Sequence, residues 1–419
     1  MLYGALLLSL MIRYRAFDAP LFAEHLIPFS ILFLFWLVVF YVLDLYDLST
    51  PPSSAPFLRR FIAALSVCLV IGIILFYIVA VGGLSPKTIL LIDVLLTGAL
   101  TFVWRLVFAR MISPLVPWRI GLYALGTQAA ELERIIASHK QHGYECVRFD
   151  EGTSLSQWIH ERRLQVVVIP ASFYTDTSRL QSLYECLETG VSFLDISQAY
   201  ETFARRLPLT DLDEQWFIRN LQEEPRGLYR RVKRTFDLLV ATLIILSTSP
   251  AWVLMALAIK LDGGGSVLYT QVRLGKHRVP FLIKKFRTMR DDAEASGAQW
   301  ASKNDPRVTR VGKWLRRTHL DELPQMLNVL KGELSLVGPR PERPMFVEQL
   351  EREVPYYRVR HFVQPGFTGW AQIKFRYARS VTDSRTKFEY DLYYIKNRSL
   401  ILDALILLKT IQLFFRNHE

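Results

Sequence analysis

Cysteine is scarce in this chain of 419 residues, and the three cysteines that occur, Cys68, Cys146 and Cys186, are widely spaced. An odd number of distant cysteines argues against a disulfide framework and against a zinc site built from closely spaced thiols. The functional part of the chain is therefore expected to lie in a reducing compartment.

Charged residues are missing from long runs near the beginning of the chain. Ile27–Leu43 and Phe61–Pro86 contain none, and Thr88–Trp104 contains only Asp93. A run of about 20 helical residues crosses a hydrocarbon core. With Met1–Met11 as a short first span, residues 1–112 are predicted to form a transmembrane helical bundle. Several such runs in so short a region favour membrane insertion over buried core helices.

Basic residues flank these runs and predict their orientation. Arg59 and Arg60 precede the third run, and Arg105 and Arg110 follow the fourth. Because basic residues near the ends of spans are retained in the cytoplasm, the ends near residues 60 and 110 are predicted to face the cytoplasm. The rest of the chain then lies on the cytoplasmic face.

Residues 118–222 lack the G-x-G-x-x-G fingerprint of dinucleotide-binding folds, since Gly126 is followed by Thr127 and Gln128. Short apolar stretches nevertheless alternate with amphipathic ones, as in "RIGLYALG", "AAELERIIASHK" and "YECVRF". This alternation predicts a Rossmann-like α/β domain with a parallel sheet. A regulatory or oligomerisation module is favoured, and a bound nucleotide is the alternative.

Leu238–Ile259 is a further uncharged run, with basic residues before and after it. Both ends are therefore expected in the cytoplasm. Ser249 and Pro250 fall at its centre, where proline removes a backbone hydrogen bond and the serine hydroxyl can bond a freed carbonyl. These features predict a re-entrant membrane helix over residues 236–260 with a hinge at Ser249 and Pro250. An ordinary kinked span is the alternative.

Acidic residues are absent from Gly263–Arg290, which is rich in lysine and arginine. The pattern of "VPFLIKKFRTM" is typical of a strand and directs Lys285 and Arg287 to the same side. A basic strand of this kind suits a phosphate ligand, although a face that attracts anionic lipid has the same composition.

Two acidic residues, Asp321 and Glu322, stand side by side in "RRTHLDELPQML" and are expected in the first turn of a helix. Acidic residues there often serve only to complement the helix dipole. Here Arg316 precedes them, and Arg340 in "GPRP" and Arg376 after "PGFTGWAQ" follow. Arginine suits phosphate oxygens, and a carboxylate among arginines stays ionised and can hold magnesium.

The ordered blocks "KFRTM", "RVTRVGKWLRRTHLDELPQMLNVLKGELSLVGPRP" and "PGFTGWAQ" resemble the signature of the bacterial sugar transferases, the monotopic polyprenyl-phosphate phosphoglycosyl transferases. The match covers about Tyr229 to the C-terminus, and the whole chain resembles the long form of the family. The resemblance implies transfer of a hexose 1-phosphate from a UDP-sugar to undecaprenyl (polyprenyl) phosphate with release of UMP, as the first membrane step of exopolysaccharide or O-antigen synthesis.

The resemblance also implies residue roles. Asp321 would be the nucleophile that forms a phosphosugar-aspartyl enzyme and a ligand of Mg²⁺, and Glu322 would orient the metal or assist proton removal. The implied phosphate-binding residues are Lys285, Arg316, Arg340 and Arg376, and the strand pattern adds Arg287 to them. Phe375 stands where the family commonly has glycine, which weakens the assignment of Arg376.

The predicted protein is thus a membrane protein with an α-helical bundle (1–112), a Rossmann-like domain (118–222) and an α/β catalytic domain (229–419) that carries the re-entrant helix. It is expected in the bacterial inner membrane with its catalytic domain in the cytoplasm. Its expected partners are membrane lipids and a second copy in a homodimer, with no nucleic acid. Direct transfer in a ternary complex and an inactive membrane scaffold are the alternatives. The sequence does not identify the sugar.

Overall fold

The computed structural model describes residues 1–15, 19–46, 54–78, 86–108, 118–123, 126–138, 144–149, 153–174, 176–221, 227–263, 265–290, 305–375 and 380–416. The chain folds as two compact units, Met1–Ala204 and Arg205–Glu419. The sequence-based limits of three domains (1–112, 118–222 and 229–419) stay predictions.

Apolar helices form the first part of the N-terminal unit. They are α1 (Leu2–Tyr14), α2 (Ala19–Val42), α3 (Ala55–Ile73), continued by a π-helical segment (Ile74–Ile78), and α4 (Lys87–Val107). By length and composition, α2, the helical stretch Phe57–Tyr77 and α4 are able to cross a membrane, whereas α1 is shorter. The predicted apolar helices near the N-terminus are confirmed.

Polar contacts between these helices supplement their apolar packing. The indole Nε1 of Trp36 donates a hydrogen bond to the Cys68 carbonyl at 3.1 Å, which joins α2 to α3. The guanidinium of Arg105 on α4 donates to the Leu45 carbonyl at 2.6 Å. Because a carbonyl in an apolar surrounding needs a donor, these bonds help to fix the helices against one another.

Strands and helices alternate in the rest of the N-terminal unit, as predicted. The elements are β1 (Trp118–Leu122), α5 (Thr127–Ser138), β2 (Tyr144–Arg148), α6 (Leu155–Arg162), β3 (Val166–Ile169), α7 (Thr177–Glu185), β4 (Ser192–Asp195) and α8 (Ile196–Ala199). All pairings are parallel, in the order β2-β1-β3-β4. Every residue of β3 is buried, as expected for an inner strand of a parallel sheet that is covered on both faces. The predicted α/β domain is confirmed.

The C-terminal unit mixes helices with short strands. Its elements are α9 (Glu214–Asn220), α10 (Gly227–Gly263), β5 (Leu268–Leu274), β6 (Pro280–Phe286), α11 (Arg310–Arg317), α12 (Gln325–Lys331), β7 (Ser335–Val337), α13 (Pro344–Glu353), β8 (Gly366–Thr368), α14 (Trp370–Lys374), α15 (Val381–Asn397) and α16 (Leu400–Arg416). Strands β5 and β6 form an antiparallel hairpin, and β7 pairs in parallel with β8.

The glycines of "GPRP" and "PGFTGW" bring two backbones into close contact beside β7 and β8. A Cβ atom on Gly366 would lie 2.0 Å from the backbone nitrogen of Gly338, and one on Gly369 would lie 2.2 Å from the Gly338 carbonyl oxygen. Any side chain at these positions would force the two segments apart. The two sequence blocks therefore pack directly against each other, and Arg340 lies two residues beyond the contact at Gly338.

Both ends of the long helix α10 are hydrogen-bonded to other elements of the C-terminal unit. Near its start, Asp237 accepts a hydrogen bond from the Ser335 hydroxyl at 2.7 Å. Near its end, Asp262 accepts one from the Val311 backbone at 2.8 Å. Between them lie exposed apolar side chains, including Leu243, Leu246, Val253, Leu254 and Leu257.

Proline stands at the middle of α10 with a local replacement for the backbone bond that it removes. Pro250 cannot donate to the Leu246 carbonyl four residues earlier. The Ser249 hydroxyl donates to that same carbonyl at 2.9 Å. The Ser249–Pro250 pair therefore keeps the carbonyl hydrogen-bonded, as the sequence predicted.

Candidate active site

A cavity of about 510 Å³ lies in the C-terminal unit between the β5–β6 hairpin, α11 and the turn that carries the acidic pair. Its walls combine basic and acidic side chains from segments far apart in the sequence. They include Tyr269, Gln271, Arg273, Lys285, Arg287, Thr288, Arg290, Arg307, Arg316, His319, Asp321, Glu322 and Arg343. The structure thus brings together most of the predicted site residues in one cavity.

The acidic pair lies in a short 3-10 turn, Leu320–Glu322, between α11 and α12. His319 enters this turn with a left-handed backbone (φ 56°), and Pro324 caps the following helix, which begins at Gln325. The expectation that the pair occupies the first turn of a helix was therefore wrong. Because the pair lies in this separate turn, both carboxylates line the cavity and neither caps the N-terminus of α12.

Glu322 is held by two basic side chains. Its Oε1 atom accepts hydrogen bonds from Lys285 Nζ at 2.6 Å and from Arg340 Nη2 at 2.9 Å. Burial alone would raise the pKa of Glu322, but the charges of Arg340 and Lys285 outweigh it and hold the pKa well below its usual range. Glu322 is therefore a firmly ionised counter-charge and a poor proton acceptor.

Asp321 has a different environment from its neighbour, although both line the cavity. None of the described residues donates a hydrogen bond to its carboxylate. Burial, and then the charge of Glu322, raise the pKa of Asp321 to about 6, against the opposing effect of nearby basic groups. At neutral pH the Asp321 carboxylate is thus largely ionised and available to a ligand in the cavity.

Two of the remaining predicted basic residues, Arg287 and Arg316, also line the cavity. Arg316 donates from Nε to the Thr288 hydroxyl at 2.8 Å, which fixes its guanidinium at the cavity wall. Arg287 is buried beside the cavity, with Nη2 3.5 Å from the Ile259 carbonyl of α10. Arg376 lies outside the described residues. The predicted hinge, Ser249 and Pro250, lies within α10 and outside the cavity lining.

One wall of the cavity was missed by the sequence analysis. Alternate residues of β5, Tyr269, Gln271 and Arg273, form a hydrogen-bonded row: Arg273 donates to the Gln271 amide oxygen at 2.8 Å, and Gln271 donates to the Tyr269 hydroxyl at 2.7 Å. Tyr269 pairs across the hairpin with Lys285, so the row shares the face of the basic strand. The period-two alternation of "LYTQVRL" is the signal that could have revealed it.

A buried ion pair is hydrogen-bonded to the backbone of Arg340. Arg360 contacts the Asp391 carboxylate at 3.1 Å and donates to the Arg340 carbonyl at 2.9 Å from the same nitrogen. Both Arg360 and Asp391 are almost fully buried. The pair thereby fixes the backbone from which Arg340 reaches Glu322.

The site fits magnesium only in combination with a ligand. Among the described residues, no group of three or more His, Cys, Asp or Glu side chains is placed to hold a metal ion. Asp321, however, offers a carboxylate without a hydrogen-bond donor in the described chain. Magnesium in phosphoryl-transfer sites is commonly held by one or two carboxylates together with substrate phosphates and water. The residues present are compatible with that arrangement.

These features define the site as a cavity lined by fixed cations and one available carboxylate, in a unit that also carries a long apolar helix. Comparison with known proteins identifies the family. The model of the family described as "Bacterial sugar transferase" matches residues 228–417. The chain belongs to the bacterial sugar transferase family.

Curated relatives agree with this assignment. The chain is 45% identical over 230 residues to "UDP-N-acetylgalactosamine-undecaprenyl-phosphate N-acetylgalactosaminephosphotransferase" of Aeromonas hydrophila, which covers 55% of this chain and 54% of the relative. It is 44% identical over 189 residues to "UDP-glucose:undecaprenyl-phosphate glucose-1-phosphate transferase" of Escherichia coli (strain K12), covering 44% and 40%. It is 43% identical over 191 residues to "Exopolysaccharide production protein PSS" of Rhizobium leguminosarum bv. phaseoli, covering 43% and 93%. The chain thus matches about half or less of the length of the first two relatives.

Proposed function

We propose that the chain transfers a sugar 1-phosphate from a UDP-sugar to undecaprenyl phosphate and releases UMP, as a membrane step of polysaccharide synthesis. The names of the relatives support the two substrates. The observation that carries the proposal is the contrast within the acidic pair. Lys285 and Arg340 hold Glu322, whereas the Asp321 carboxylate is free to meet a phosphorus atom in the cavity.

The reaction proceeds in two balanced steps. In the first, an Asp321 oxygen attacks the phosphorus that carries the sugar, and the bond from that phosphorus to the UMP oxygen breaks. In the second, the phosphate oxygen of undecaprenyl phosphate attacks the same phosphorus, and the bond to Asp321 breaks. The product is the undecaprenyl diphosphate sugar, and Asp321 is regenerated.

The basic side chains make this attack electrostatically feasible. A carboxylate approaches a diphosphate only when the phosphate charge is neutralised, and Lys285, Arg316 and Arg340 lie where they supply positive charge. Bound Mg²⁺, held by Asp321 together with substrate phosphate oxygens, would neutralise further charge on the diphosphate. Glu322 keeps Lys285 and Arg340 in place and does not serve as the proton acceptor.

The re-entrant course of α10 belongs to the proposal. The 37 residues of α10 would extend roughly 55 Å if straight, at about 1.5 Å per residue. Both Asp237 and Asp262 nevertheless bond to the C-terminal unit, and apolar side chains between them are exposed. A hairpin that dips into one leaflet and turns at Ser249–Pro250 accounts for both facts. It leaves the site at the cytoplasmic surface of the inner membrane, where a soluble nucleotide sugar meets a lipid phosphate.

The homodimer and the role of the α/β domain in the N-terminal unit stay predictions. In that domain β1 and β3 are adjacent, and β2 and β4 lie outside them. Doubly wound sheets bind ligands where the strand order reverses, beside a glycine-rich turn that contacts the phosphates. Because this chain lacks that glycine fingerprint, we retain self-association as the predicted role of the domain.

The test uses membranes that contain the full chain, undecaprenyl phosphate, Mg²⁺ and a panel of UDP-sugars, and it measures UMP release. We expect UMP with one or a few sugars and a loss on the order of 10³-fold or more for Asp321→Asn. If no UDP-sugar releases UMP, the proposed enzymatic activity is overturned and the inactive membrane scaffold is favoured. Undiminished activity of Asp321→Asn would retain the enzyme and exclude the covalent route.

A further inference from the structure

A second, smaller cavity lies at the beginning of α10, and the proposed function does not use it. We call it the basic pocket. It encloses about 200 Å³ and is formed by residues of α10, the β5–β6 turn, the segment from the end of α12 into β7, α15 and the segments that precede β8 and α16. Most of its lining surface is apolar. Its lining residues are Tyr229, Arg230, Lys233, Arg234, Asp237, Lys276, Gly332, Leu334, Ser335, Val337, Val363, Gln364, Tyr394 and Arg398.

The basic pocket carries an excess of positive charge. Five of its lining residues are lysine or arginine, and Asp237 is the one carboxylate among those described. Asp237 is already engaged, because it accepts hydrogen bonds from the Ser335 hydroxyl at 2.7 Å and the Leu336 backbone at 3.3 Å. An anion in the pocket would therefore meet cations whose charge is offset only in part by Asp237 and by Asp403, which pairs with Lys233.

The walls of the basic pocket are fixed in advance by hydrogen bonds. Arg234 donates to the carbonyls of Val329 and Leu330 at 2.6 and 2.8 Å, at the end of α12. Asp403 accepts from Lys233 Nζ at 2.9 Å and from the Tyr394 hydroxyl at 2.8 Å. A ligand that enters this pocket consequently has little ordering of side chains to offset.

The basic pocket also has the surroundings of a membrane surface. Leu228 and Val232 on the same turns of α10 are exposed, and so is Ile401, which follows Arg398 closely in the chain. Further along α10 begins the exposed apolar run that is proposed to enter the membrane. Basic groups interleaved with exposed apolar side chains are typical of segments that sit among lipid headgroups.

The basic pocket is separate from the catalytic cavity. The two share no lining residue. Glu322 lines one and Gly332 the other, and the ten intervening steps run mostly along α12, which at about 1.5 Å per residue amounts to roughly 15 Å. A phosphate bound here is too far from Asp321 to react. The basic pocket, at about 200 Å³, is also smaller than the catalytic cavity of about 510 Å³.

We propose that the basic pocket binds the phosphate of an anionic phospholipid headgroup, and that this bound lipid fixes the first turns of α10 at the membrane surface. The lipid is a structural ligand and is distinct from the undecaprenyl phosphate acceptor. Binding of the lipid does not depend on the transfer reaction, so its test stands even if the proposed function fails.

The experiment compares two double variants of the full chain that remove the same charge. Arg230→Gln with Lys276→Gln changes two pocket side chains, which make no hydrogen bond or ion pair with any described residue. Arg231→Gln with Lys331→Gln changes two exposed basic residues outside the pocket. Each protein is delipidated in mild detergent and titrated with phosphatidylglycerol, phosphatidylcholine or undecaprenyl phosphate, and bound lipid is counted by native mass spectrometry.

We expect the unchanged chain and the surface variant to bind one phosphatidylglycerol in preference to phosphatidylcholine. The pocket variant should bind it at least about tenfold more weakly, since each basic residue near an anionic lipid contributes roughly a factor of five. Equal binding by all three proteins, or an equal loss in both variants, would overturn the proposed lipid site. Preferential binding of undecaprenyl phosphate by the unchanged chain would also overturn it. If the double variant melts early, Arg230→Gln alone provides the same comparison.

Discussion

The ammonium of Lys285 lies 2.6 Å from the carboxylate of Glu322, on an oxygen that Arg340 also reaches. The neighbouring Asp321 carboxylate receives no hydrogen bond from the described residues. Two adjacent acidic residues therefore do different work. Glu322 balances the partly buried positive charge of Lys285 and Arg340, while Asp321 faces the cavity.

Isosteric amides at the two positions should separate these roles. Glu322→Gln leaves Lys285 and Arg340 without their common counter-charge, and losing these charged hydrogen bonds in a partly buried site costs about 1–3 kcal/mol of unfolding free energy. Asp321→Asn removes a carboxylate that has no hydrogen-bond donor and should not lower stability. Apparent melting in detergent measures both, and a larger loss for Asp321→Asn would contradict this division of roles.

The support beneath Arg340 predicts a specific coupling. Arg360 donates to the Arg340 carbonyl and pairs with Asp391, so Arg360→Lys keeps the charge but loses the forked geometry. We expect kcat to fall roughly 10- to 100-fold, with a smaller change in KM, because Arg340 remains present but is misplaced.

A double-mutant cycle separates this positioning role from general destabilisation. Once Arg340→Gln has removed the side chain, Arg360→Lys should cost little further activity, since residues that act together are not additive. The assay is run at low temperature on protein that remains folded. Additive losses in the cycle would mean that Arg360 acts through stability alone.

The cavity wall formed by β5 predicts an effect on the choice of sugar. Tyr269→Phe removes the hydroxyl that accepts from Gln271 and takes one polar group out of the wall. A site that hydrogen-bonds a substrate hydroxyl discriminates strongly against analogues that lack it. We expect about a tenfold or larger change in the ratio of kcat/KM between UDP-hexoses that differ at one hydroxyl, measured by UMP release. Thr270→Val on the opposite face of β5 is the matched control. An equal effect of that variant would contradict a role of the β5 wall in selecting the sugar.

The sequence was most informative where a pattern repeats locally. Alternation predicted the four strands of the α/β domain and the helices α5, α6 and α7 between them, whereas the short α8 was not predicted. Contacts between distant segments were not readable in this way. Arg360 and Asp391 meet only because α15 packs beside the turn before β8, and no local period marks either residue. The 3-10 turn of the acidic pair was likewise missed, because the left-handed His319 at its start has no distinctive sequence signal.

The proposed hairpin of α10 predicts where its two ends lie. Single cysteines at Arg231 and Leu261, in a chain without its own cysteines, should both react with a membrane-impermeant thiol reagent from the cytoplasmic side in inverted vesicles. Both positions are exposed, so access is decided by the membrane and not by packing. Labelling of Arg231→Cys from one side and Leu261→Cys from the other would establish an ordinary span and exclude the hairpin.

Buried His361 predicts an acid limit to the stability of the C-terminal unit. Its Nδ1 lies 3.2 Å from the Gly275 carbonyl, and burial, with a contribution from Arg360, lowers the pKa of His361 to about 4. The unfolded chain has a pKa near 6.5, so it binds the proton more readily than the folded chain does. Stability is therefore complete above about pH 6.5 and is lost as the pH falls towards 4, by about 2 kcal/mol at pH 5. His361→Gln, which cannot take up a proton, should show a smaller drop in apparent melting temperature between pH 7.5 and pH 5. An equal drop in the variant would assign the acid sensitivity to other groups.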